Sequence, residues 1–428
     1  MLMDDLSRRL ASLTAEQRQL LALRLKKKDA RQQPAPGDAE TPIEDARRNA
    51  VSAEPQQSQA VQLPKPAGRG MQLSLMFFSD DGSSEADNKY QLLLESSAFA
   101  DRAGFAAVLT PERHFQNFGG LYPNPSVLGA ALSMITERIQ IRAGSVALPL
   151  HHPVRVAEEW SVVDNLSRGR AAVSFASGWH PEDFALSPES YENRRELMFS
   201  HIRTVQQLWA GEVLKLRGVG GEEVEVKLLP RPIQPRLPVW ITTAGSPQTW
   251  LKAGELGANV LTGLQGQPLD ELAKKITLYR DARAASGHDA QAGVVTVMLH
   301  TFIGEDDASV RAKVKTPLST YVRSFLAQTK NLKAQDGKSG LESLSETEKN
   351  ILDSLAFEYY YDASSLLGTP LKCARIIEGL LEIGVNEIAC LIDFGLDQPS
   401  IMESLHRLNE LREHYWPEGS DALESPCA

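Results

Sequence analysis

The stretch DRAGFAAVLT (residues 101–110) ends a helix-like run with a glycine and begins an apolar β-like run immediately afterwards. The same order recurs in GELGANVLTG (254–263) and EIGVNEIACLIDFG (382–395). A glycine at such a point is typical of a helix C-cap in the left-handed region, which glycine occupies without a Cβ penalty. A repeated unit of helix, glycine and buried strand predicts parallel strands joined by helical crossovers, and therefore an α/β protein. The three predicted caps are Gly104, Gly257 and Gly384.

Composition limits the class of protein. The chain has 428 residues, 42% of them hydrophobic, which suits a single α/β barrel domain. Its net charge is −10 and its basic run Lys26-Lys27-Lys28 is short, which argues against nucleic-acid and anionic-membrane partners. Three cysteines without C-x-x-C spacing favour a reducing cytoplasm and no zinc site. No apolar run approaches the ~18 residues that would span a bilayer. We therefore expect a cytoplasmic protein.

The first 70 residues differ in composition from the rest. Leucines at helical spacing and the capping-box pair Thr14 and Gln17 predict two short amphipathic helices within 1–28. Residues 29–70 are rich in Pro, Gln and Ala without periodicity, so we predict a flexible linker there. The main domain is predicted to span 71–428.

Eight apolar β-like runs follow, with helix-like segments between them. Repetition of strand and helix to eight closes a barrel, so the predicted fold is a (β/α)8 TIM barrel. The predicted strands are 71–78, 105–110, 139–147, 170–177, 238–243, 258–263, 293–301 and 386–392. The predicted helices include 88–103, 153–167, 246–257, 268–286 and 370–383.

Two long stretches interrupt this rhythm. Residues 178–236 hold a predicted helix around 191–210 and then a short polar, hairpin-like segment. Residues 305–368 form a predicted insertion of amphipathic helices that contains the unusual run FEYYYD (357–362). Long insertions in a barrel usually lie on the face that carries the site. We expect 305–368 to close over the site or to shape its entrance for a bulky ligand.

Function in a barrel sits where the strands end, and the ends of the second and third strands carry distinctive residues. Glu112, Arg113 and His114 follow the second strand and are able to polarise or protonate a bound group. A polar cluster that only supports the loop would look the same. Gly144 and Ser145 on the third strand leave room for a planar ligand, or for close packing of a helix.

The fourth strand ends in Ser177, Gly178, Trp179 and His180. This sequence combines an exposed backbone, an aromatic plane and a titratable ring, which suits a ligand site. Core packing around a buried histidine is the alternative.

The loop TAGSPQT (243–249) after the fifth strand opens a helix. Ser246 at the N-cap and Pro247 at the first helical position fit ordinary helix-start chemistry. A Gly-Ser turn at a helix N-terminus in the second half of a barrel is also where phosphate binds. We therefore predict a phosphate site at this loop.

Three longer segments carry a specific resemblance: TPERHFQNFGGLYPNPSVLGAAL (110–132), LPLHHPVRVAEEWSVVDNLSRGR (148–170) and SGWHPEDF (177–184). They resemble bacterial luciferase and the flavin-dependent luciferase-like monooxygenases, and the resemblance extends over 71–415. SGWHPEDF and the late insertion are similar to those of the subgroup found in polyketide and nonribosomal-peptide biosynthesis, including that of antibiotics.

The resemblance implies a (β/α)8 enzyme that takes reduced FMN from a separate flavin reductase and reacts it with O2 through a C4a-(hydro)peroxide. It places the flavin phosphate at Ser246 and Thr249 and the flavin ring against a non-proline cis peptide between Gly144 and Ser145. It also implies association into a homodimer or homotetramer. The implied cofactor-binding set is Gly144, Ser145, Ser177, Gly178, Trp179, Thr243, Ala244, Gly245, Ser246, Thr249 and Leu264. The implied catalytic set is Arg113, His114 and His180.

Three positions depart from bacterial luciferase. Arg113 stands where luciferase has the histidine that acts in the flavin reaction, although the adjacent His114 is retained. Ser177 replaces the arginine that luciferase offers to the phosphate, and Gly245 replaces a glutamate. Light emission from a long-chain aldehyde is therefore not expected.

The leading hypothesis is a two-component FMN-dependent monooxygenase that oxygenates an intermediate of a natural-product pathway. Residues 1–28 resemble segments that precede catalytic domains in nonribosomal-peptide synthetases, which implies a synthase partner or a substrate tethered to a carrier protein. A solubilising extension without a partner is the alternative for these helices. An inactive flavin-binding scaffold and a deazaflavin (F420)-dependent oxidoreductase of the same fold are the alternatives for the whole protein.

Overall fold

The computed structural model describes residues 70–79, 88–264, 267–333 and 346–416. The helices predicted within 1–28 lie outside these ranges, as does the linker predicted over 29–70 apart from its last residue. Both remain predictions.

The structure describes eleven strands, of which eight run parallel around a closed barrel. They are β1 (Gln72–Met76), β2 (Ala107–Thr110), β3 (Gln140–Ala147), β4 (Ala171–Ala176), β5 (Leu214–Arg217), β6 (Glu223–Val226), β7 (Val239–Thr242), β8 (Asn259–Gly263), β9 (Val295–Ile303), β10 (Ser365–Gly368) and β11 (Glu387–Leu391). The barrel order is β1-β2-β3-β4-β7-β8-β9-β11, and β11 pairs back onto β1. These eight strands are the eight that the sequence predicts, so the predicted barrel is confirmed.

Helices connect the strands on the outside of the barrel. They are α1 (Gln91–Ala103), α2 (Pro125–Ser133), α3 (Pro153–Ser167), α4 (Arg194–Ala210), α5 (Pro247–Glu255), α6 (Leu269–Ala285), α7 (Asp307–Lys333), α8 (Glu346–Ala363), α9 (Pro370–Glu382) and α10 (Gln398–Tyr415). Gly104, Gly257 and Gly384 adopt φ angles of 83°, 66° and 91°, so the three predicted caps are in the left-handed region. None of the helices in the described ranges combines the length and the apolar character needed to cross a membrane.

The two predicted interruptions of the barrel are both present. The polar segment within 178–236 is the antiparallel hairpin of β5 and β6. The insertion 305–368 forms α7 and α8 but ends in β10, a strand that the sequence analysis missed because it assigned the whole segment to amphipathic helices. β10 pairs with the end of β9, where Leu366 lies opposite Thr301. The insertion is therefore attached to the barrel at both of its ends.

A polar network inside the barrel links five of its strands. Arg142 Nη1 on β3 donates to Glu387 Oε2 on β11 at 2.8 Å, and Thr296 Oγ1 on β9 donates to the same oxygen at 2.6 Å. Ser74 on β1 also donates to Glu387. Trp240 Nε1 on β7 donates to Thr296 Oγ1 at 3.0 Å, and its ring centroid lies 3.7 Å from Arg142 Cζ. All five side chains are buried, so one compensated ion pair fixes these strands relative to each other.

We expect Glu387→Gln to lower the free energy of unfolding by about 3–5 kcal/mol, because Arg142 would keep a buried charge without its counter-charge. Urea denaturation followed by far-UV circular dichroism measures this change. Glu305→Gln is the matched control, because Glu305 also accepts from an arginine, Arg407, at 2.8 Å but is 83% exposed. Its effect should stay below about 1 kcal/mol. Equal losses in the two variants would contradict the role given to Glu387.

Candidate active site

A cavity opens at the carboxyl ends of the barrel strands. Strand residues that line it include Met76, Thr242, Leu261 and Met298, and the rest of the wall comes from loops and from α7 and α8. The barrel order places β3, β4 and β7 side by side and β9, β11 and β1 across from them. The cavity therefore has two opposite sides, and each is formed by different residues.

Small residues form the side of the cavity on β3, β4 and β7. The peptide bond between Gly144 and Ser145 is cis, as the resemblance implied. A Cβ on Gly144 would lie 2.9 Å from Leu109 Cβ, so no side chain fits there. Ser145 Oγ and Thr242 Oγ1 share a hydrogen bond of 2.7 Å, and Ala176 also lines this side. This side offers backbone and hydroxyl groups to a flat ligand.

Glu112 joins the loops that follow β2 and β3. Its Oε2 accepts from the Ala147 N–H at 2.7 Å, and its Oε1 accepts from His114 Nε2 at 2.9 Å and from His151 Nε2 at 2.5 Å. Burial alone would raise the pKa of Glu112, but these hydrogen bonds and the charge of His151 lower it. Burial alone would lower the pKa of His151, but the carboxylate of Glu112 raises it. The pair thus favours an ionised Glu112 and a protonated His151.

Arg113 and Asp183 form a buried ion pair beside the cavity, with side chains 1% and 8% exposed. Arg113 Cζ lies 5.1 Å from the ring centroid of Trp179, which itself lines the cavity. Burial lowers the pKa of Arg113 and raises that of Asp183, while their mutual attraction opposes both shifts. The pair holds Trp179 and the Asp183 carboxyl at the cavity wall.

His180 is buried next to this ion pair. Its ring packs edge-on against Trp179 at 5.4 Å, and neither of its nitrogens has a hydrogen-bond partner among the described residues. Burial and the charge of Arg113 lower the pKa of His180. The imidazole is therefore neutral at pH 7.

Aromatic side chains form the opposite side of the cavity. We call Phe118, His300, Tyr321, Phe325 and Tyr360 the aromatic wall. Tyr321, Phe325 and Tyr360 come from α7 and α8, so the insertion does lie over the mouth of the barrel.

A family model described as luciferase-like monooxygenase matches residues 71–387. The chain belongs to this family. The predicted family and the predicted enzyme class, a flavin-dependent monooxygenase, are thereby confirmed. The match does not address the predicted biosynthetic subgroup.

Individual relatives of this luciferase-like monooxygenase are distant in sequence. It is 24% identical over 353 residues to the oxygenase component of flavin-dependent trigonelline monooxygenase from Acinetobacter baylyi, a match that covers 79% of this chain and 93% of that protein. The crystal structure of a monooxygenase from Streptomyces bottropensis is similar with a TM-score of 0.66 at 22% identity, covering 79% of this chain and 98% of that one. The oxygenating constituent of 3,6-diketocamphane monooxygenase from Pseudomonas putida, in complex with FMN, gives a TM-score of 0.62 at 18% identity over 82% and 99% of the two chains.

The structure brings six of the fourteen predicted site residues of this luciferase-like monooxygenase to the cavity wall. They are Gly144, Ser145, Gly178, Trp179, Thr243 and Ala244. The other eight do not line it: Arg113, His114, Ser177, His180, Gly245, Ser246, Thr249 and Leu264. Of these, Leu264 is buried in the main hydrophobic core. Ser246, Thr249 and Gly245 lie at the start of α5.

The N-terminus of α5 keeps its hydroxyl groups available. Ser246 is the N-cap residue, yet its side chain makes no capping hydrogen bond. A Cβ on Gly245 would lie 3.9 Å from Lys275 Nζ, so an ammonium group of α6 stands beside this terminus. Lys275 also donates to Gln267, and burial lowers its pKa. A helix N-terminus beside a cation favours an anion.

Several residues in and around the site were not predicted from the sequence, among them Lys275, His300, Tyr360 and Asp393. Lys275 and His300 carry no local signal, because only the fold brings them to the site. Tyr360 belongs to the run FEYYYD, whose unusual composition was the available signal. Asp393 follows β11, and its carboxylate accepts from the backbone N–H of Phe78 at 2.8 Å and from the Tyr122 hydroxyl at 2.8 Å. Burial raises the pKa of Asp393 to about 6.

Proposed function

We propose that this luciferase-like monooxygenase is the oxygenase component of a two-component system. It takes reduced FMN from a separate flavin reductase and uses O2 to add one oxygen atom to an organic substrate in the cavity. The observation that carries this proposal is the side of the cavity formed by Gly144, Ser145, Ala176 and Thr242, which offers backbone and hydroxyl groups to a flat ligand.

The small-residue side of the cavity fits a flavin ring. Gly144 presents bare backbone to the cavity, since a Cβ there would collide with Leu109, and the Ser145 and Thr242 hydroxyl groups lie beside it. Thr243 and Ala244 continue this side toward α5. When bound, FMN supplies the O2-activating redox chemistry that no amino-acid side chain provides.

The start of α5 fits the phosphate of FMN. Ser246 and Thr249 offer hydroxyl groups there, and the helix dipole favours a negative charge at this end. Lys275 supplies the positive charge that bacterial luciferase takes from an arginine at the position of Ser177. We therefore assign Lys275 to the phosphate.

The remaining residues orient groups and exclude water. Glu112 fixes the loops after β2 and β3, and the Arg113–Asp183 pair fixes Trp179. Arg113 is accordingly a positioning residue. The aromatic wall keeps water away from the reacting atoms. This exclusion matters because water promotes the decay of a reactive oxygen species.

Rapid mixing of O2 with protein loaded with reduced FMN tests the activity. We expect a transient absorbing species before oxidised FMN appears, because a dry site with fixed donors slows the loss of peroxide. Oxidation at the rate of free flavin would instead support an inactive scaffold. Tight binding of the deazaflavin without binding of FMN would support a deazaflavin-dependent oxidoreductase.

We expect Lys275→Met to weaken FMN binding about tenfold, because one charge-assisted contact to the phosphate is lost. Riboflavin, which lacks the phosphate, should bind the variant as it binds the unaltered protein. Fluorescence titration with the two flavins measures both affinities. Lys274→Met is the matched control, because Lys274 pairs with Glu271 at 2.7 Å and is 67% exposed. Equal weakening of FMN and riboflavin would rule out a phosphate role for Lys275.

The natural-product substrate and the carrier-protein partner are part of the same proposal. Their support is the resemblance of SGWHPEDF (177–184) and of residues 1–28 to segments of biosynthetic systems. Deletion of 1–65 should reduce turnover of a substrate bound to a carrier protein more than turnover of the same substrate in free form. Steady-state product formation measures both. Equal losses would remove the docking role and leave the extension without a partner.

A further inference from the structure

Together with Trp179, the aromatic wall forms a continuous row of rings from the loop after β4 to β9. Neighbouring ring centroids lie 6.1 Å apart for Trp179 and Phe325, 6.4 Å for Phe325 and Phe118, 4.9 Å for Phe118 and Tyr321, and 4.7 Å for Tyr321 and His300. Rings at these separations prefer edge-on or offset contacts, and they offer the same contacts to a ligand ring. A flat ligand therefore finds aromatic partners across the cavity from Gly144 and Ser145.

The cavity disfavours anionic ligands. Among the described residues that line it, Glu112 and Asp183 are the ionisable acids, and no lysine or arginine is present. A carboxylate on a ligand would lose its hydration without gaining a cationic partner. An uncharged ligand avoids this cost.

His300 provides one polar group within the aromatic wall. The side chain is 2% exposed and lines the cavity, and its Nε2 atom has no hydrogen-bond partner among the described residues. Tyr321 and Phe394 contact the ring edge-on, with centroids 4.7 and 5.4 Å away. Burial lowers the pKa of His300 to about 3, so the ring is neutral. A buried polar atom of this kind gains from a ligand that forms a hydrogen bond with it.

We propose that the substrate is an uncharged aromatic compound with a hydroxyl group, whose ring packs on Tyr321 and whose hydroxyl forms a hydrogen bond with His300. This assignment rests on the proposed oxygenase function, because it places the substrate between the flavin side and the aromatic wall. His300 is then a specificity residue, and the insertion selects the substrate by shape and by ring contacts.

Equilibrium binding to the full chain loaded with oxidised FMN tests the assignment, with four probes: 2-naphthol, naphthalene, decahydro-2-naphthol and 2-naphthoate. We expect 2-naphthol to bind about tenfold more tightly than naphthalene, because of the hydrogen bond to His300. It should also bind about threefold to tenfold more tightly than decahydro-2-naphthol, because of the ring contacts. 2-Naphthoate should bind at least about tenfold more weakly than 2-naphthol.

Substitutions at two positions, His300 and Tyr321, assign these preferences to residues. His300→Phe should remove the preference for 2-naphthol over naphthalene, whereas His300→Gln, which retains hydrogen-bonding atoms, should keep most of it. Tyr321→Leu should remove the preference for the aromatic ring over the saturated one. His288→Phe is the matched control, because His288 is exposed and contacts the backbone of Glu255.

The outcomes separate this inference from the proposed function. If FMN binds but 2-naphthol has no advantage over the saturated or the carboxylated probe, the substrate assignment is wrong and the flavin function stands. An unchanged naphthol preference in His300→Phe would likewise overturn the role of His300. If FMN does not bind, the proposed function fails, whatever the probes do in the flavin-free protein.

Discussion

The buried carboxylate of Glu387 is the interaction on which the barrel depends. It starts β11, the strand that closes the cylinder, and it accepts hydrogen bonds from β1, β3 and β9. An ionised group inside a protein is stable only when donors and a counter-charge surround it. Arg142 and the hydroxyl groups of Ser74 and Thr296 meet that requirement in a single register of the strands. The carboxyl ends of those strands consequently meet at one mouth.

Three further buried carboxylates connect separate segments at that mouth. Glu112 ties the loop after β2 to the loop after β3, Asp183 ties the loop after β4 to Arg113, and Asp393 ties the loop after β1 to the end of β11. Glu112 and Asp393 each accept from donors that lie far apart in the chain, and Asp183 accepts from Arg113. Because an unsatisfied donor or acceptor would be costly in this dry region, every such acid restricts the positions of its neighbours. Polar contacts thus hold the cavity wall in place, while most of its lining is apolar.

The two sides of the cavity have different origins. The side on β3, β4 and β7 is built from backbone and small side chains of the barrel itself, which suits a cofactor shared throughout a family. The aromatic wall owes Tyr321, Phe325 and Tyr360 to an insertion after β9. Variation in such an insertion changes the substrate without disturbing the flavin side, which is how one barrel supports many reactions.

Local sequence patterns were enough to predict the eight strands and the strand ends that carry polar residues, because apolar runs, glycine caps and helix-start residues are signals between near neighbours in the chain. The run LPLHHPVRVAEEWSVVDNLSRGR (148–170) was specific enough to indicate the family. Folding is what brings Arg113 to Asp183, Lys275 to Gly245, and His300 to a row of aromatic rings. These contacts join residues from different elements, and their energy comes from burial and from partners that no local pattern encodes. The four-residue strand β10 belongs with them, since its pairing with β9 gives it a conformation that its own short sequence does not specify.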